Sequence, residues 1–119
     1  MDDYRDFVMK VVMNNLIPVP GFAAINIFGI CFVRKTAWER RTEEVRAVII
    51  NHESIHTAQM RELLYIGFYV AYLLEWVYRL VFHTRTAYEG ISFEREAYAH
   101  QEEPGYLATR RHFAQWRKA

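Results

Sequence analysis

Residues 63–82, Leu-Leu-Tyr-Ile-Gly-Phe-Tyr-Val-Ala-Tyr-Leu-Leu-Glu-Trp-Val-Tyr-Arg-Leu-Val-Phe, place the tightest limit on the fold. As one helix, these 20 mostly apolar residues would be long enough to span a bilayer. Glu75 and Arg79, four apart on one helix face, weigh against a simple span, although each partly neutralises the other. What the run can do depends on the polar segments that flank it.

Upstream lies His52-Glu53-Ser54-Ile55-His56. Two histidines at i and i+4 on a helix stack one turn apart, where both imidazoles reach a single metal ion. Glu53 is rotated off that axis but reaches a water held by the metal, as a general base must. Apolar residues at 45, 48 and 49 continue onto a stripe through 52, 56, 59/60 and 63, so both histidines face the interior of an amphipathic helix over about 43–65. Thr36-Ala37-Trp38-Glu39 matches a capping box, and Thr42 followed by two glutamates is a second candidate start. The simpler reading of the same residues is a pair of partly buried histidines hydrogen-bonded in a helical core.

Downstream, Ser92-Phe93-Glu94-Arg95-Glu96-Ala97-Tyr98-Ala99-His100 reads as a helix over about 92–102, capped by Ser92 with acid in its first turn. Together the two helices resemble the gluzincin type of zinc peptidase, in its minimal single-domain form. In that family a Glu-x-x-Ala-Asp or Glu-x-x-Ser-Asp helix follows the two-histidine helix, and its first glutamate is the third zinc ligand. The resemblance therefore implies a zinc-dependent peptidase acting on a peptide or protein substrate, with His52, His56 and Glu94 as ligands and Glu53 as the base. The family's aspartate, which orients the first histidine, falls at Tyr98, a hydroxyl without the negative charge that raises ligand basicity. Glu96 and His100, also four apart, are alternatives for the third position if the helix is rotated. All three could instead form an ordinary solvated helix face. Through Asn51-His52-Glu53, Thr57-Ala58-Gln59-Met60-Arg61-Glu62-Leu63 and Ile91-Ser92-Phe93-Glu94-Arg95-Glu96-Ala97, the chain also resembles, over nearly its full length, small proteins of Bacteroidetes-type bacteria, which bring no established activity with them.

A site combining His56 and Glu94 constrains the run between them. A continuous helix from His56 to Phe82 would extend about 39 Å at 1.5 Å per residue. The 12 residues onward to Glu94 could return that far only if fully extended, at about 3.3–3.6 Å each. A break is therefore required, and Gly67 is the natural place, with a second helix over about 69–83 packing back as a hairpin. A helix unbroken from 43 to 82 would favour a non-enzymatic scaffold, membrane-associated or dimeric, in which the histidines are structural.

Elsewhere, residues 3–15 read as a short amphipathic helix ended by Pro18, Pro20 and Gly21. Residues 22–34, apolar and β-branched around Gly29, read as extended strand or two short paired strands. In gluzincins such a strand binds the substrate backbone along its edge. The tail, 105–117, reads as a basic amphipathic helix that docks on the body or touches anionic lipid. The fold class expected is α+β, mostly helical, with residues 1–119 as one domain. A net charge of +1 with interspersed signs gives no footprint for nucleic acid. The single cysteine, Cys31, fits a reducing compartment and a small buried side chain. The acidic start Met1-Asp2-Asp3 lacks the features of a secretory signal, so the expected location is cytoplasmic. The aromatic helix 68–82 leaves three settings open: contact with the inner face of a membrane, a homodimer, or the core.

Overall fold

The computed structural model describes residues 10–16 and 23–117. Three strands, β1 (Lys10–Asn14), β2 (Ala24–Ile27) and β3 (Ile30–Arg34), form one sheet in the order β1-β3-β2. Five helices follow: α1 (Lys35–Glu39), α2 (Glu43–Glu62), α3 (Ile66–Phe82), α4 (Ser92–His100) and α5 (Tyr106–Thr109). The fold is α+β and mostly helical.

β2 and β3 are an antiparallel hairpin turning through Phe28 and Gly29, both at positive φ (51° and 87°). This primed geometry matches the right-handed twist of the strands, and Gly29 adopts it without a Cβ penalty. The Asn26 side chain accepts the Gly29 N–H at 2.9 Å and closes the turn. β1 pairs parallel to β3. The helix expected over 3–15 is therefore corrected within the described residues: 10–14 are strand, because they pair along β3, with Val11 and Met13 beside Cys31 and Val33, which pack on Trp38. The remainder of that expectation, with Pro18, Pro20 and Gly21, lies outside the described residues.

α2 starts at Thr42, whose hydroxyl accepts the Val45 N–H at 3.3 Å, with Glu43 and Glu44 favourably placed in the first turn. Its end is a Schellman motif: the Tyr65 N–H donates to Met60 O (2.7 Å) and the Leu64 N–H to Arg61 O (3.3 Å). The left-handed residue there is Leu64, at φ 57°, not a glycine. The axis then bends by 108° into α3. The required break exists, but it falls at 63–65 rather than at Gly67, and α3 leaves at a steep angle instead of packing back as a parallel-sided hairpin. At Gly67 itself a Cβ would make only an ordinary contact with that of Leu63, at 3.4 Å, so the glycine is not what breaks the helix.

α4 returns across α2. Ile55 and Ala58 pack on Ala97 and Leu107, while Met60 packs with Phe68, Ile91 and Phe93. Ser92 is the first residue of α4 and not its cap, a second correction. Its N–H and hydroxyl donate to the two oxygens of Glu75 on α3, at 2.9 and 2.6 Å. The tail also differs from the single helix expected. It makes one turn in α5, breaks at extended Arg110, and ends in a 3-10 turn over Ala114–Trp116. The cause is Arg110, which leaves the helix to bury its guanidinium between Glu96 and Glu62.

Candidate metal centre

Helical periodicity alone brings His52 and His56 to one face of α2, and packing of α4 across that face brings Glu94 to meet them. Glu94 Oε1 lies 3.1 Å from His56 Nε2 and 3.3 Å from His52 Nε2. The three ligand atoms lie within 4.8 Å of one another, and all three residues are buried. Zinc bonds of about 2.05 Å at tetrahedral angles put neighbouring ligand atoms about 3.3 Å apart. Two imidazole nitrogens and a carboxylate oxygen at these separations fit a metal ion, and this group could hold one.

Both histidines are held from behind. His56 Nδ1 lies 2.8 Å from Gln59 Oε1. The Gln59 amide has only one consistent orientation, because its nitrogen donates to Phe93 O (3.0 Å) and to the Glu96 carboxylate (2.9 Å), neither of which can donate. Gln59 Oε1 must then accept, so Nδ1 of His56 carries a proton and Nε2 is turned toward Glu94. His52 Nδ1 meets Gln101 Oε1 in the same way, at 2.8 Å. Tyr72 of α3 donates to the second oxygen of Glu94 at 2.8 Å. Each candidate ligand thus has a partner fixing its orientation, as metal ligands require.

The electrostatics are those of a site built for positive charge. Burial pushes the Glu94 carboxyl up, but hydrogen bonds from His52, His56 and Tyr72 and the His56 charge hold it well below the usual carboxylate range. Burial opposes charge on His56, yet the bond to Glu94 and the charges of Glu94 and Glu53 outweigh it and raise its pKa to about 9. Without a metal, protonated His56 is the cation that Glu94 binds. Burial raises the pKa of Glu53, and the Glu94 charge adds to this, while the histidines act in the opposite direction.

No family model, curated protein or solved structure matches the chain. His52, Glu53, His56 and Glu94 line a cavity of about 540 Å³, which is otherwise walled by Phe68 and Tyr72 of α3, Tyr88, and residues Ala24–Asn26 of β2. Asn26 ties the strand to α2: its side-chain nitrogen donates to Glu53 O (2.7 Å) and Thr57 Oγ1 (2.6 Å), and its backbone N–H meets the Glu53 carboxylate.

Of the other residues singled out from the sequence, Glu96 and His100 lie apart from this cluster and Tyr98 borders it. Glu96 is buried on another face of α4, where Arg110, Tyr106 and Gln59 engage its oxygens. His100 stacks on Tyr106 and pairs with Glu103. Tyr98 meets the His52 ring edge-on at 4.6 Å, while the hydrogen bond expected of it comes from Gln101. Sequence reasoning missed Gln59, Gln101 and Tyr72. For the glutamines a signal existed: Gln59 is three residues after His56, and Gln101 is two turns after Glu94 on the same stripe. Tyr72 had none, since its approach depends on the α2–α3 bend.

Proposed function

We propose that this chain is a minimal zinc peptidase in which His52, His56 and Glu94 hold the ion and Glu53 is the general base. The observation that carries the reading is the convergence of both Nε2 atoms on Glu94 Oε1 at 3.1 and 3.3 Å with Glu53 beside them in one cavity. Two imidazoles and one carboxylate leave a fourth position for substrate or water, the pattern of catalytic rather than structural zinc. Zinc bound there supplies Lewis acidity, lowering the pKa of water and polarising a carbonyl.

The chain's own residues supply the rest. Glu53, with its pKa raised by burial, takes a proton from water and returns it to the departing amine. Tyr88 lines the cavity, and its half-exposed phenol can donate to a carbonyl oxygen. β2 is an edge strand of the sheet and lines the cavity, so an extended peptide can add along it and place a bond over Glu53.

Metal content of the purified chain, measured by elemental mass spectrometry beside His52→Ala and Glu94→Gln, tests the site. The expected result is about one ion per chain, reduced sharply in both variants, and cleavage of a peptide library that Glu53→Gln abolishes. Bound metal without Glu53-dependent cleavage would leave a metal-binding protein. Equal metal content in all variants, or none in any after reconstitution, would leave structural histidines.

A further inference from the structure

α3 is apolar on both faces: Phe68, Ala71 and Tyr72 pack inward, and its outer face is apolar too. Its two charged side chains, Glu75 and Arg79, are directed into the protein. Glu75 accepts from Ser92, and Trp116 Nε1 approaches it at 3.3 Å. Arg79 donates to Thr86 Oγ1 at 3.1 Å and lies over Gly90, where its guanidinium occupies the place of a Cβ. Outward face Val70, Leu73, Leu74, Val77, Val81 and Phe82, each 48–67% exposed. No charged side chain of the helix accompanies them. Leu64 (82% exposed) and Phe28 (52%) extend the surface past the helix start.

We infer that the outer face of α3 inserts into the interfacial layer of a lipid bilayer, with the helix lying along the membrane. Three observations select lipid over another protein surface. The face offers only the Tyr78 hydroxyl and the Trp76 indole as polar groups, whereas a protein interface needs about one hydrogen bond per 100–200 Å². Exposed cationic residues flank the helix in sequence, Arg85 just after it and Arg61 before the bend, as favours an anionic lipid surface. The chain also enters and leaves α3 on one side, since His56 before it and Glu94 after it lie 3.1 Å apart. The 17-residue helix therefore lies along the surface and does not cross. No single helix among the described residues is long and apolar enough to cross alone. The inference is independent of metal or peptidase activity. It does place the cavity, walled by Phe68 and Tyr72 of the same helix, next to the membrane surface.

The test is flotation of the full chain with vesicles of phosphatidylcholine and phosphatidylglycerol (3:1), after detergent removal. Wild type is expected in the lipid fraction. Val77→Glu and Val81→Glu, which put charge on the exposed face without touching the core, are expected to lower partitioning roughly tenfold or more with unchanged circular dichroism. Trp76 fluorescence, read in a Trp38→Phe/Trp116→Phe background, is expected to shift blue on vesicle addition. A wild type that stays out of the lipid fraction, or forms a dimer that Val77→Glu splits and vesicles do not bind, overturns the inference. So does flotation that both glutamate variants leave unchanged.

Discussion

Glu75, in the middle of α3, caps the N-terminus of α4 by accepting from both the backbone N–H and the hydroxyl of Ser92, at 2.9 and 2.6 Å. α4 lacks a local side-chain cap. One orphan donor at its start, the Ser92 N–H, is therefore satisfied in trans, by a side chain that also complements the positive end of the helix. Glu94 sits in that first turn, so the apolar helix sets the position of the third candidate ligand.

Glu75→Ala is expected to cost about 1–3 kcal/mol of stability, because it leaves the Ser92 donors unpaired. It should also weaken zinc binding, while Glu75→Gln, which keeps an acceptor, should lose less of both. Thermal unfolding with and without zinc measures the two effects. Equal zinc affinity in Glu75→Ala and wild type would refute the link.

Metal binding should release protons. His56 has its pKa raised to about 9 in the metal-free protein, so at pH 7 it carries a proton that a metal must displace. Affinity should therefore climb about tenfold per pH unit until pH approaches that value. Calorimetry in buffers of different ionisation enthalpy reads the released proton directly. For the metal-free fold the signs are opposite at the two partners. The His56 contribution is complete below its ordinary value of 6.5 and is lost as pH rises through about 9. That of Glu94 is present above 4.5 and fades as pH falls toward its depressed value.

Leu64→Gly should stabilise the fold by about 1 kcal/mol, since Leu64 holds a left-handed conformation that disfavours a Cβ. Its side chain is 82% exposed, so little packing is lost. Chemical denaturation gives the sign; a destabilised variant would mean that Leu64 does not hold this conformation.

Cys31 should resist alkylation in the native state. Burial, with the Glu53 charge behind it, raises its pKa from 9.0 to about 12, and the side chain is fully enclosed. Its contribution to stability is complete below pH 9.0 and is lost as pH rises through about 12. Iodoacetamide at pH 8 followed by mass spectrometry should modify only the unfolded protein, and rapid native labelling would contradict the placement.

Much of the site was legible because it is local. His52 and His56 share a face through helical periodicity alone, and the Thr42 cap and the turn at Gly29 follow from residue type. The bend was legible as a requirement, from chain length between His56 and Glu94, but not as a position. A leucine takes the left-handed residue at 64, and that choice overrides the glycine signal three residues later. The tail was misread because its arginines suggest solvent, whereas Arg110 finds Glu62 and Glu96, distant in sequence and adjacent in space.

By itself, then, the sequence determined which side chains are on offer: two histidines one turn apart, a glutamate between them, and a second acidic helix downstream. Tertiary structure decided which acid faces the histidines. Glu94 and Glu96 are equivalent as neighbours on one short helix, and only the rotation of α4 on α2 turns one to the histidines and the other to Arg110. That rotation depends on the burial of Phe93 and Ala97 and on Glu75 capping the helix start, contacts between segments that no local pattern encodes.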